Sequence, residues 1–212
     1  HRDLHSFPTR RSSDLAAVAR EKGWTGGRIA MELSSYTLNA ALYAELSAAL
    51  APGEIADATR VLGDLRIIKS ETEMAYVREA AGYANQGLAV ARDALRAGTT
   101  EIEVAAALED AMRRSGSDYW AIPTEISSGP RTPGGHATPR ARVIETGDLA
   151  HFEFAGVSHR YHATAVHTMA CGTPGARAAE LYEVARASLA AGIGACRDRK
   201  STRLNSSHTS IS

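Results

Sequence analysis

The stretch that most constrains the fold is residues 149–171, LAHFEFAGVSHRYHATAVHTMAC, whose side chains alternate in character. Successive strand side chains point to opposite faces. A strand from about Leu149 therefore puts Leu149, His151, Glu153 and Ala155 on one face, and Phe152 and Phe154 on the other. After a tight turn around Ser158 and His159, a second strand puts His162, Thr164 and Val166 on one face. Tyr161, Ala163, Ala165 and His167 take the opposite one. The two phenylalanines mark the core side, which turns Glu153 toward a cleft or solvent. The hairpin brings Glu153 opposite or near Thr164, a carboxylate beside a hydroxyl. Any fold that keeps this pattern must cover one face of the hairpin and leave the other polar.

The segments before the hairpin can supply that cover. Ser70 and Glu73 form a capping box, and Met74, Val77, Ala81, Ala84, Leu88, Ala91 and Leu95 then recur at steps of three and four. Gly98 stops this helix. Thr100 and Glu103 start another, which runs to about Arg114. Residues 118–129 are β-like, interrupted by Pro123. The segment GPRTPGGHATP, 129–139, carries three prolines and three glycines and is a shaped loop. A turn follows at Glu145–Asp148. Beyond the hairpin, Thr173-Pro174 opens a helix to about Ile193. Upstream, RIAMEL (28–33) is a buried strand, 36–50 a helix ended by Pro52-Gly53, and 54–59 a weak second strand. The expected class is α+β, preceded by the end of an α/β domain, with a boundary near 65–73.

Both ends read differently. Residues 1–15 and 198–212 are rich in Ser, Arg and Thr, lack apolar periodicity, and have the character of non-native, adaptor-derived tails. The expected organisation is thus 16–64 and 65–197 between two such tails. The 212 residues are 44% hydrophobic and 23% charged, as in globular chains, and 24 basic residues balance 24 acidic ones. That balance argues against a nucleic-acid partner. Two distant cysteines suggest a reducing compartment. With neither a long apolar run nor an apolar leader, the expectation is a cytoplasmic chain without a membrane partner.

Histidine chemistry comes next. His159 and His162 stand three apart, which points them to opposite faces of a strand, so a local zinc site there is not expected. His136 sits in GGHATP, between glycines that permit unusual backbone geometry and a stiffening proline. Held on such a loop, a histidine can serve as general acid or base; the plain alternative is an exposed loop residue. For Glu153 with Thr164, the plain alternative is a solvated cross-strand pair.

LRIIKSETEMAYVREAA, HATP, the ETGD turn and the strand pair ending RYHATAVHT agree in order and spacing with one family. They resemble the pita-bread family of creatinase, prolidase, aminopeptidase P and methionine aminopeptidase. The resemblance covers about 60–197. It implies the N-terminal half of a pita-bread catalytic domain, preceded by the end of a creatinase-type α/β domain. The family's metallopeptidases carry two metal-binding aspartates eleven residues apart, and these positions fall on Glu153 and Thr164. A threonine hydroxyl is a poor ligand for a hard dication. The resemblance therefore implies a metal-free branch, like creatinase or ectoine hydrolase, with no cofactor. Such a protein would cleave a C–N bond in a small nitrogen-rich solute. His136 would be the general acid/base, and Glu153, Thr164 and His162 would contact substrate. A metal-dependent Xaa-Pro peptidase using Mn2+, Co2+ or Zn2+, and a non-catalytic pita-bread binding module, are the alternatives. The family further implies a homodimer and a small-molecule substrate. The chain by itself, with half of such a sheet, is expected to be inactive.

Overall fold

The computed structural model describes residues 12–196. They form two compact units that divide after Ser70.

In the first unit, helix α1 (Ser12–Glu21) is followed by β1 (Arg28–Met31), α2 (Ala40–Ala49), β2 (Glu54–Asp57) and α3 (Thr59–Ile67). The two strands are parallel, with Ile29 beside Ile55 and Met31 beside Asp57. Parallel neighbours need a crossover, which α2 provides. Asn39 caps α2, its Oδ1 accepting the Leu42 N–H at 2.9 Å. A small core of Ala19, Leu46 and Leu50 packs with Ile29, Met31, Leu42 and Ile55. Three features differ from the sequence reading. Strand β1 spans only Arg28–Met31 and is not buried, its residues alternating between exposed and half-buried. Helix α1 starts inside the segment read as a tail, and the rest of both tails lies outside the described residues. Helix α3 was not expected, because its apolar residues Val61, Leu62, Leu65 and Ile67 stay exposed and show no core-facing stripe.

In the second unit, α4 (Glu71–Ala94) and α5 (Glu101–Arg114) cover a sheet of β3 (Glu125–Ser128), β4 (Leu149–Ser158) and β5 (Tyr161–Ala170). Helix α6 (Ala176–Ala195) ends the unit. The capping box at α5 is complete: Thr100 Oγ1 accepts from Glu103 N, and Glu103 returns a carboxylate oxygen to Thr100 N at 2.7 Å. Strands β4 and β5 are antiparallel, and β3 pairs antiparallel with the other edge of β4. Phe152 and Phe154 are buried with Ala84, Ala91, Leu108, Met112 and Ile126, as the alternation predicts. Gly156 lets α4 approach β4, since a Cβ there would lie 2.6 Å from Ala84 N and would also strike the Ala80 carbonyl. Of the β-like stretch 118–129, only the last four residues before Gly129 pair as a strand.

The hairpin turn is tight. Ser158 pairs with Tyr161, leaving His159 and Arg160 as a two-residue loop with φ of 49° and 67°. This left-handed geometry suits the strand twist and usually takes Asn-Gly. Here aromatic contacts hold it: the His159 ring stacks on Tyr76 at 4.1 Å, and the Arg160 guanidinium lies 4.0 Å over Tyr119.

Candidate functional site

The polar face of the sheet carries the site. Cross-strand partners share a face, so the pairs Glu125–Glu153, Ser127–His151, Glu153–Val166 and Ala155–Thr164 place these side chains together, opposite the phenylalanines. Two glutamates thus stand directly across from each other on β3 and β4. Like charges so placed repel, and both are half-buried, so a cation or proton donor between them is required.

His136 meets that need. Its loop folds back so that Nδ1 lies 2.8 Å from Glu125 Oε2 and 3.0 Å from Glu153 Oε2. Both neighbours are acceptors, so Nδ1 is the protonated nitrogen and Nε2 is left for chemistry. The hydrogen bond to Glu125, then the charges of Glu153 and Glu125, hold the His136 pKa above its usual value. The raised value means that this contact supports the fold most below the ordinary histidine range. The support is lost as pH rises through the raised pKa.

The loop, 129–148, is fixed from below. A 3₁₀ turn, Gly129–Gly134, begins it, and Gly135 with φ of 66° turns the chain into His136. The Ile126 N–H donates to the Ala137 carbonyl at 3.0 Å. Glu101, the first residue of α5, is fully buried beneath. Its Oε1 accepts Ser128 N at 2.8 Å and Ser128 Oγ at 2.7 Å, and its Oε2 accepts Arg140 N at 2.9 Å and the Arg131 guanidinium. Burial pushes the Glu101 carboxyl up, but the bonds from Ser128, Arg140 and Arg131 outweigh it, and the pKa ends below the usual range. Arg142 bridges Ser128 Oγ at 2.8 Å to Asp148 Oδ2 at 2.6 Å. The Asp148 carboxyl also ends low, burial being outweighed by Arg142 and the Glu145 N–H.

Of the residues singled out in the sequence, the structure brings His136 and Glu153 together. Thr164 is on the same face but one pair away, because Glu153 is in register with Val166. His162 lies further along, opposite Val157, about 13 Å of strand from the Val166 rung. Its Nε2 accepts the Ala121 N–H at 3.2 Å. Sequence reasoning missed Glu125. The signal was present, since alternation in TEISS places Glu125 and Ser127 together, but only the register shows that they meet Glu153 and His151.

Among the described residues, Glu125, His136 and Glu153 form the one group able to offer three metal-ligating atoms, all within 4.8 Å of one another. The sequence-family model of metallopeptidase family M24 matches residues 75–209. The chain belongs to that family. Among its M24 relatives, it is 32% identical over 124 residues to an Xaa-Pro dipeptidase of Pyrococcus horikoshii, covering 58% of this chain and 35% of that one. It is 30% identical over 166 residues to the uncharacterized peptidase YqhT of Bacillus subtilis, covering 78% and 46%. Among solved structures, an Xaa-Pro dipeptidase from Bacillus anthracis superposes with a TM-score of 0.73 at 28% identity, over 82% of this chain and 47% of that one. An X-Pro aminopeptidase from Thermotoga maritima gives 0.76 at 24% identity, over 82% and 48%, a likeness of fold. The chain thus spans less than half the length of these relatives.

These findings correct the expectation that no cofactor is needed. The family is one of metallopeptidases, and the cluster supplies donors of the right kind. The expectation failed because it weighed only Glu153 and Thr164. Thr164 brings no charge, but Glu125 on the neighbouring strand does. Two carboxylates match the charge of one divalent cation, and the ligand atoms they offer lie within 4.8 Å of each other. The described residues therefore fit one cation.

Proposed function

We propose that the whole protein is a metal-dependent hydrolase of C–N bonds, of the Xaa-Pro dipeptidase or aminopeptidase kind. The observation that carries this is the Glu125–His136–Glu153 cluster on the polar face of an M24 sheet. Glu125 and Glu153 would hold the cation. When bound, a divalent ion polarises the scissile carbonyl and acidifies water. His136 keeps Nδ1 on the carboxylates and uses Nε2 to move a proton between water and the leaving nitrogen. Its loop position, with the side chain 76% exposed, leaves that nitrogen open to substrate. A proline nitrogen is a secondary amine once released, so the departing atom requires a proton, and His136 delivers it. Thr164, exposed on the same face, would contact substrate through its hydroxyl. His162 would do so only for a substrate extending along β5.

The test is hydrolysis of Xaa-Pro dipeptides by the whole protein, stripped with a chelator and reloaded with Mn2+, Co2+ or Zn2+. Activity lost on stripping and restored by one of these ions supports the reading. Full activity after stripping refutes it.

A further inference from the structure

The loop that carries His136 touches the two site carboxylates through one exposed ring, so the ring's position depends on what fixes the backbone. The buried side chain of Glu101 bonds the loop on both sides of His136. Glu101 Oε1 takes the backbone and hydroxyl of Ser128, where β3 leaves Glu125 and enters the loop. Glu101 Oε2 takes Arg140 N, four residues past His136, and the guanidinium of Arg131, five before it. Arg131 passes the restraint on, donating through Nη2 to the Thr138 carbonyl at 3.0 Å. Glu101 is itself held, since it lies in the first turn of a capped helix, where the helix dipole favours a negative charge, and its N–H donates to Arg142 O at 3.2 Å.

We infer that Glu101 is a positioning residue for His136: its carboxylate staples the start of the 129–148 loop to its far side and so sets where His136 meets Glu125 and Glu153. A carboxylate is needed for this. Every hydrogen bond to the Glu101 side chain comes from a donor, and a carboxylate accepts on both oxygens. A glutamine of the same shape would turn its NH2 against either Ser128 or Arg140 and Arg131. A neutral side chain would also leave Arg131 without its buried counter-ion.

Three variants of the whole protein test this, with the His136 signal followed by NMR of ring-labelled histidine and assigned through its loss in H136Q. Glu101→Gln is expected to shift or broaden that signal. It should lower kcat by about 10²-fold, the scale of a misplacement of an ångström, with KM changed far less. Arg131→Gln, a milder cut in the same staple, moves both readouts the same way by a smaller amount and stands in if Glu101→Gln does not fold. Met112→Ala removes a buried side chain of α5 that packs against Gly87 of α4 and makes no hydrogen bond to Glu101 or His136 through its side chain. It lowers the melting temperature but leaves kcat and the His136 signal in place. The inference is overturned if Glu101→Gln or Arg131→Gln lowers the melting temperature while the His136 signal and kcat stay native, or if Met112→Ala reproduces their losses. The kinetic readout rests on the peptidase reading. The NMR readout does not, so a wild-type protein without Xaa-Pro activity refutes that reading and still leaves Glu101 decided.

Discussion

At the scale of single residues, the proposed function gives His136 and Glu153 separable tasks. His136→Ala is expected to cost 10²- to 10⁴-fold in kcat, the usual worth of a positioned acid or base, while metal content after dialysis stays near one per site. Loss of the metal along with the activity would instead make His136 a third ligand. Glu153→Gln removes one of the two charges facing the cation and is expected to abolish both binding and turnover; retained metal in this variant would contradict the assignment of Glu153. His136 was legible in the sequence because GGHATP is unusual locally, and Glu153 because the hairpin alternates. Glu125 and Glu101 were not. A glutamate in a four-residue strand and a glutamate at a helix start look ordinary, and only the partners that long-range pairing brings to them give them a role.

At the scale of elements, the second unit depends on close approach of α4 to the hairpin. Gly156→Ala forces a methyl into Ala80 and Ala84. Such overpacking costs about 1–3 kcal/mol, read as a lower urea midpoint. Thr100→Ala loses one half of the capping box and is expected to cost about 1 kcal/mol. A Gly156→Ala protein as stable as wild type would mean that α4 can lift off the sheet. Elements α4, α5, β4, β5 and α6 were legible because each has a strong period, a cap or a turn residue. Helix α3 was hidden by its exposed apolar face, and the strand at 118–129 was overextended because pairing with β4 reaches only Glu125–Ser128.

At the scale of the whole molecule, two carboxylates, one buried and one half-buried, link stability to pH. Glu101 and Asp148 both have folded pKa values below their usual range. Their contribution is present above the ordinary carboxylate pKa of about 4 and is lost as pH falls through the lower folded values. Urea midpoints are therefore expected to drop between neutral pH and about pH 3. Glu101→Gln should flatten that dependence, and an unchanged slope would show that the charge of Glu101 is immaterial. Among the described residues no helix is long and apolar enough to cross a membrane.

The sequence by itself determined most elements of the second unit, the core face of the hairpin and the loop histidine, because caps, turns and side-chain alternation are local and repeat at fixed spacings. The tertiary structure alone decided which carboxylates face one another. Glu101, Glu125 and Glu153 come from a helix start and two strands, 24 and 28 residues apart in turn. What joins them is strand register and a loop folded back by Ser128, Arg131 and Arg140. Those contacts depend on the packed fold, which is why counting charges along β4 and β5 alone pointed away from a metal and the assembled sheet points toward one.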